Sequence, residues 1–222
     1  MASLFPERRG GLLLLAACLL CLQPVLAAKV QTPRLDRQTP LDVKGDDSEY
    51  DMNLGTLRAR DVTITQGPAL SIHATRANGR GLKEGYRDST WDLSEGIHIE
   101  LDNAVLDADT ATVVFANERV ISIRVQGKPA RFSHQQASVR RDGRASNIAY
   151  DARSGDLRLS GGTWLSDGRS EYRSSVLLYN TNTGKITNDA RSGDSGPAHI
   201  VILPGKAPEI PTPRTPDRDT AQ

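Results

Sequence analysis

Beyond residue 21 the chain has no cysteine: Cys18 and Cys21 are its two, and both lie in an apolar N-terminal stretch. Disulfide and thiolate chemistry are therefore closed to the rest of the sequence. Aromatic residues make up only 5%, so aliphatic side chains must fill any core. The charges nearly cancel, 28 basic against 27 acidic, which removes a global pull toward nucleic acid or anionic membranes. Almost no segment carries a helical period over a useful length. Catalytic signatures are missing too: there is no Gly-x-Ser-x-Gly elbow, phosphate loop or dinucleotide fingerprint. His73, His98, His134 and His199 sit singly, without the paired spacing of zinc ligands. Glu100 with Asp102, and Asp107 with Asp109, would share strand faces, but neither pair comes with a cleft visible in the sequence.

Residues 1–27 read as a secretory signal, with Arg8 and Arg9 before the apolar Leu12 to Leu22 and a small-residue cleavage site at Val25-Leu26-Ala27. Cleavage there removes both cysteines together with Glu7, Arg8 and Arg9, leaving 26 basic and 26 acidic residues. A retained membrane anchor is a competing reading. Gln23-Pro24 interrupts the apolar run, which falls short of the roughly 20 residues a spanning helix needs. Lipidation at Cys18, in Leu15-Ala16-Ala17-Cys18, is another, and would leave Leu19 to Leu26 exposed. Residues 28–38 form a flexible lead-in and residues 39–203 one folded domain. Residues 204–222 follow as a disordered tail, since Leu203 to Gln222 holds five of the twelve prolines.

What is present is repetition. Tyr-(Asp/Asn)-x-x-x-Gly-x-(Leu/Ile) occurs at Tyr50 to Leu57, Tyr150 to Leu157 and Tyr179 to Ile186. Each copy predicts a tight turn: Asp51, Asp151 or Asn180 caps it, Gly55, Gly155 or Gly184 supplies positive φ, and the flanking Tyr and Leu/Ile bury on a sheet. Trp91 to Gly96 reads as a weaker fourth copy. Between the turns apolar residues alternate, as in Val62 and Ile64, then Leu70, Ile72 and Ala74 across Gln66-Gly67-Pro68, and again in Ile97, Ile99, Leu101 and Ile121, Ile123, Val125 before a break at Gly127-Lys128-Pro129. Asp102 to Arg119 is rich in Thr and Val and reads as strand. Gly161-Gly162 predicts a bulge or turn. The expectation is an all-β domain: a sandwich, barrel or open roll of repeated antiparallel hairpins.

Several segments carry a resemblance. Gly127-Lys128-Pro129-Ala130-Arg131-Phe132, the unit from Ala145 to Tyr150 through Leu157 to Gly161, its successor Ser174 to Asn188, the opening Gln38 to Val43, and Ala108-Asp109 with Ala111 and Val113 together resemble the LptA/OstA-like family of periplasmic lipopolysaccharide transport proteins. The likeness runs from about Thr39 to Leu203 and is strongest from Val120 to Asn188. Before Ala108 the chain departs from the family pattern, with two hairpin units, Tyr50 to Ala77 and Trp91 to Leu106, where one is usual.

The resemblance implies an open β-roll, or β-jellyroll, that sheathes the lipid A acyl chains of lipopolysaccharide on the way from inner to outer membrane, with no enzymatic activity and no cofactor. It implies partners in the inner- and outer-membrane export complexes, reached by edge-strand pairing, head-to-tail homo-oligomers, and a periplasmic location. It places Leu41, Val43, Phe132 and Tyr150 on the lipid-facing surface. Alternation adds Ile64, Ile72, Ile123 and Leu157, in an interior expected to hold no charge. An ordinary closed core is the other reading of these positions. The pairing edges are expected at Leu41 to Lys44, closed by Gly45-Asp46-Asp47, and at Lys185 to Asn188 or His199 to Leu203. Competing readings are a membrane-anchored subunit of the same export machine, a structural β-solenoid with a filled interior, and a secreted hydrolase or sugar-binding domain, for which clustered carboxylates and exposed aromatics are lacking.

Overall fold

A computed structural model describes residues 39–189 and 197–204. The predicted signal, the lead-in and the tail past Pro204 lie outside them. The strands are β1 (Leu41–Asp51), β2 (Thr56–Gln66), β3 (Leu70–Arg80), the short β4 (Lys83–Tyr86), β5 (Thr90–Leu101), β6 (Ala104–Ala116), β7 (Arg119–Gln136), β8 (Val139–Asp151), β9 (Asp156–Ser166), β10 (Ser170–Asn180), β11 (Ile186–Asn188) and β12 (His199–Ile202). All but β4 join one sheet in chain order, with β11 and β12 both paired to β10. Every pairing is antiparallel.

The repeated turns form as their residues dictate. The Asp51 carboxylate accepts from Leu54 N at 2.9 Å, that of Asp151 from Arg153 N at 2.8 Å, and the Asn180 side-chain oxygen from Thr183 N at 2.9 Å. The glycine that ends each turn, Gly55, Gly155 or Gly184, has φ of 64°, 74° or 72° and donates back to the backbone carbonyl of the capping residue. The Trp91 to Gly96 copy behaves otherwise. It lies inside β5, and its positive φ at Glu95 and Gly96 makes a bulge rather than a turn.

That bulge is one of a series crossing the whole sheet. Register slips between Lys44 and Glu49 in β1, His73 and Arg76 in β3, Ser94 and Ile97 in β5, Asp107 and Thr110 in β6, Gln126 and Ala130 in β7, Arg144 and Asn147 in β8, and Ser174 and Val176 in β10. Partner residues Lys44, Thr63, His73, His98, Asp107, Arg131, Arg144, Trp164 and Arg173 make an unbroken rung on one side of this line. Bulges bend strands, and a row of them bends a sheet. The sheet thus folds into two leaves, each built from one half of every long strand.

Burial follows from this bend. A lone flat sheet exposes both faces, yet Ile64, Ile99, Val113 and Leu159 are fully buried, because the inner faces of the two leaves pack on each other. Contacts between leaves are explicit: Phe132 of the first leaf stacks on Tyr179 of the second, ring centroids 6.1 Å apart. The fold-back also explains the paired last strands. β12 finishes the first leaf along Ser170 to Arg173, and β11 finishes the second along Leu177 to Tyr179.

Three sequence expectations change as a result. β1 does not stop at Lys44 but runs through its bulges to Asp51. Gly127-Lys128-Pro129 does not end a strand; β7 runs through it from one leaf into the other. Tyr50, expected to bury, is 49% exposed, because β1 is an edge with no neighbour beyond it, although its hydroxyl donates to Leu82 O at 3.1 Å.

Candidate functional site

The space between the leaves is the candidate site. Of the positions predicted to line it, Leu41, Val43, Ile64, Ile72 and Phe132 lie on the first leaf, and Ile123, Tyr150 and Leu157 on the second. Ile64, Ile72, Ile123, Phe132 and Leu157 belong to one buried apolar cluster, while Leu41, Val43 and Tyr150 are partly buried against it. The fold therefore puts all eight on one inward surface. Its middle is dry. Partly buried apolar residues continue this cluster at Leu41, Val43 and Leu57 by the first strands and at Tyr172 and Ile186 by the last, with Ala108 and Tyr150 partly buried within the stack. The apolar column thus runs from the first strand to the last.

Two rows of hairpin turns meet where the strand ends of the leaves come together, and a few polar links join them. Near β1, Gln66 Nε2 donates to Tyr86 Oη at 2.8 Å and to Glu118 O at 3.3 Å, and the Tyr86 hydroxyl donates to Thr39 O at 2.7 Å. Tyr86 rides on the β3–β5 connection and meets Phe115 edge-on at 5.8 Å. Burial raises its phenol pKa above the ordinary range, with Gln66 opposing. Farther along, Gln136 Nε2 donates to Thr181 O and Asn182 O, both at 3.1 Å.

One corner of the interior is polar. His134, buried on β7, has Nδ1 2.7 Å from the Tyr179 hydroxyl. Its cross-strand partner Arg141 on β8 shares the inward phase of Gly143 and Ala145. The interior was expected to hold no charge; Arg141 corrects this. Its Nη1 donates to Gln136 Oε1 at 3.1 Å, and its Cζ lies 5.5 Å from the centre of the Tyr179 ring. Burial, and then the Arg141 guanidinium, hold the His134 imidazole pKa below its usual range. Burial raises the Tyr179 phenol pKa, with Arg141 opposing. The sequence held a usable signal: His134 and Gln136 continue the phase of Phe132, and Arg141 precedes Gly143 by two.

On the outer face, His98 is not solitary. Its Nδ1 is 2.7 Å from Asp107 Oδ1 and its Nε2 is 3.3 Å from Glu100 Oε1, and the bond to Asp107 raises its pKa most. Sequence reading paired Glu100 with Asp102 and Asp107 with Asp109. The structure instead brings Glu100 and Asp107 together around the histidine, with Asp102 in a turn. Among the described residues no group of three or more His, Cys, Asp or Glu is placed to hold a metal ion.

Residues 42–185 match the model of the family described as LptA/(LptD N-terminal domain) LPS transport protein. The chain belongs to that family. The match begins in β1 and ends at Lys185 in the β10–β11 turn, so it takes in both leaves across β1 to β10. Among solved structures, the chain is similar to LptH, the LptA homologous periplasmic component of the lipopolysaccharide transport device of Pseudomonas aeruginosa. Identity is 18%, coverage is 76% of this chain and 99% of that one, and the TM-score is 0.45. No curated protein matches the chain.

Proposed function

We propose that this protein is a periplasmic, non-enzymatic carrier that holds the acyl chains of lipopolysaccharide between its two leaves and forms part of a bridge from inner to outer membrane. The observation that carries this reading is the apolar column that runs the whole strand stack. A column that reaches the edge strands on both sides can continue into a neighbouring roll, so a chain would pass along it without crossing water. Each CH₂ withdrawn from water gains about 0.8 kcal/mol, and a 12-carbon chain gains about 9 kcal/mol at most, before the cost of parting the leaves. The seam is held by few side-chain links, so entry between the turn rows breaks little secondary structure. Leu41, Val43, Ile64, Ile72, Ile123, Phe132, Tyr150 and Leu157 are the proposed lipid contacts. The partners are similar rolls in the two membrane complexes and further copies of this chain, met at the β1 edge and at β11 with β12.

Native mass spectrometry of the mature protein with and without lipopolysaccharide tests the carrier role, and a bound lipid is expected. A photo-crosslinking side chain at Phe132 or Tyr150 should capture the lipid, whereas one at Arg153, in the β8–β9 turn, should not. Absence of bound lipid, or equal capture at all three positions, would overturn the reading.

A further inference from the structure

Among the described strand residues, Arg141 is the one charged side chain on the inward phase of the sheet, and it has no counter-charge there. None of the ion pairs among the described residues includes it. Its Nε is shielded from solvent without an acceptor. Its Nη2 faces Gly184 in the β10–β11 turn, where even a Cβ would come within 2.9 Å. The nearby imidazole of His134 offers no negative charge, and Tyr179 and Gln136 are neutral. A half-buried guanidinium is costly unless an anion joins it, and its forked N–H donors suit phosphate oxygens. The apolar interior begins one contact away, since Tyr179 stacks on Phe132.

We propose that Arg141, at the seam where Gln136 links the two leaves, forms a subsite for a phosphate group on the head of an amphiphile whose acyl chains occupy the space between the leaves. This assignment rests on the lipid-carrier reading. It gives the carrier a polar register point: the chains are held without directional preference, and the phosphate sets where along the column the head group stops.

The test compares lipid A with lipid A whose phosphates have been removed, titrated against the mature protein. Wild type is expected to bind the phosphorylated lipid about tenfold or more tightly, the range of a hydrogen bond to a charged group. Arg141→Met should abolish that difference and leave affinity for the dephosphorylated lipid unchanged, while Arg141→Lys should restore part of it. Equal affinity of wild type for the two lipids would overturn the subsite, and this comparison needs no variant to fold. Competition by millimolar inorganic phosphate in wild type, lost in Arg141→Met, would overturn the head-group assignment in favour of free phosphate. Failure of wild type to bind either lipid would overturn the carrier reading itself.

Discussion

Gly143 lies directly beneath the ring of Phe132, its cross-strand partner: a Cβ at 143 would overlap Cε1 and come within 2.7 Å of Cζ. The pair is a lock between β7 and β8. The missing side chain on one strand lets the aromatic of the other lie flat over the backbone and reach Tyr179. Gly143→Ala must push the ring aside and should destabilise the domain by about 1–3 kcal/mol. Phe132→Ala should cost about 3–5 kcal/mol through the cavity it leaves. Urea midpoints of the single and double variants check this. The double variant should lose less than the sum, because once the ring is gone the extra methyl meets no obstacle.

Two glycines with nearly the same φ separate conformational strain from crowding. Gly155 (φ 74°) ends the β8–β9 turn, and a Cβ there would come 2.8 Å from Asn182 Cγ and 3.0 Å from Thr181 Oγ1. Its carbonyl also accepts from Thr181 N and Oγ1, tying one turn to the next. Gly168 (φ 79°) has nothing within 4 Å of a built Cβ. Gly168→Ala should therefore cost about 1 kcal/mol, the strain alone, and Gly155→Ala about 2 kcal/mol or more. Denaturant titration reads both, and equal losses would show that the turns are not braced against each other.

The buried imidazole makes the fold sensitive to acid. Unfolded, His134 titrates near the ordinary value of about 6.5; folded, its pKa is lower, through burial and then Arg141. Between those values the unfolded chain binds a proton that the folded one does not, so stability present above about 6.5 declines as pH falls toward the folded pKa. His98 has the opposite sign. Its raised pKa gives a contribution that is full below about 6.5 and lost as pH rises through the folded value. That contribution is small, because the side chain is 45% exposed. In a His98→Gln background the urea midpoint should fall between about pH 7.5 and 5.5, and His134→Gln should flatten that fall. A slope that survives His134→Gln would assign the acid sensitivity elsewhere.

Much of this architecture was legible because its signals are local. Asp51 and Gly55, Asp151 and Gly155, and Asn180 and Gly184 each write a turn within five residues, and alternation assigns Ile64, Ile72 and Ile123 to one face. The open roll was expected from the hairpin repeats and the family resemblance, whereas the line along which the sheet bends was not legible. A bulge shifts the phase of alternation without stopping the strand, so Lys44 to Glu49 and Gly127 to Ala130 read as ends, and Glu95-Gly96 read as a turn. The polar corner was hidden for a different reason. His134, Arg141 and Tyr179 come from three strands, and only the closing of one leaf on the other brings Tyr179 to the pair. Single-sequence periodicity finds which residues face inward but not which inward residues meet.

The final prediction concerns the edges. β1 crosses both leaves as one strand of 11 residues, whereas the opposite edge is made of two pieces, β11 on one leaf and β12 on the other. A β1 edge from a second copy can pair along the whole of that composite edge only if both pieces are present. Deleting residues 199–222 removes β12 and leaves a step: one leaf ends at β10, the other at β11. A docking strand would then lose half its partners, so head-to-tail oligomers, which do not close on themselves, should shorten or vanish. Deleting only residues 207–222 leaves β12 intact and should leave them unchanged. Ile202, 80% exposed on β12, adds a local check: Ile202→Lys should weaken association without altering the far-ultraviolet circular dichroism of the monomer. Sedimentation velocity over a range extending to high micromolar concentration distinguishes these outcomes. A full-length mature protein that stays monomeric throughout, and binds no export partner, would reduce the bridge to a soluble shuttle. Oligomers that survive loss of β12 would mean that β11 alone supplies the joint.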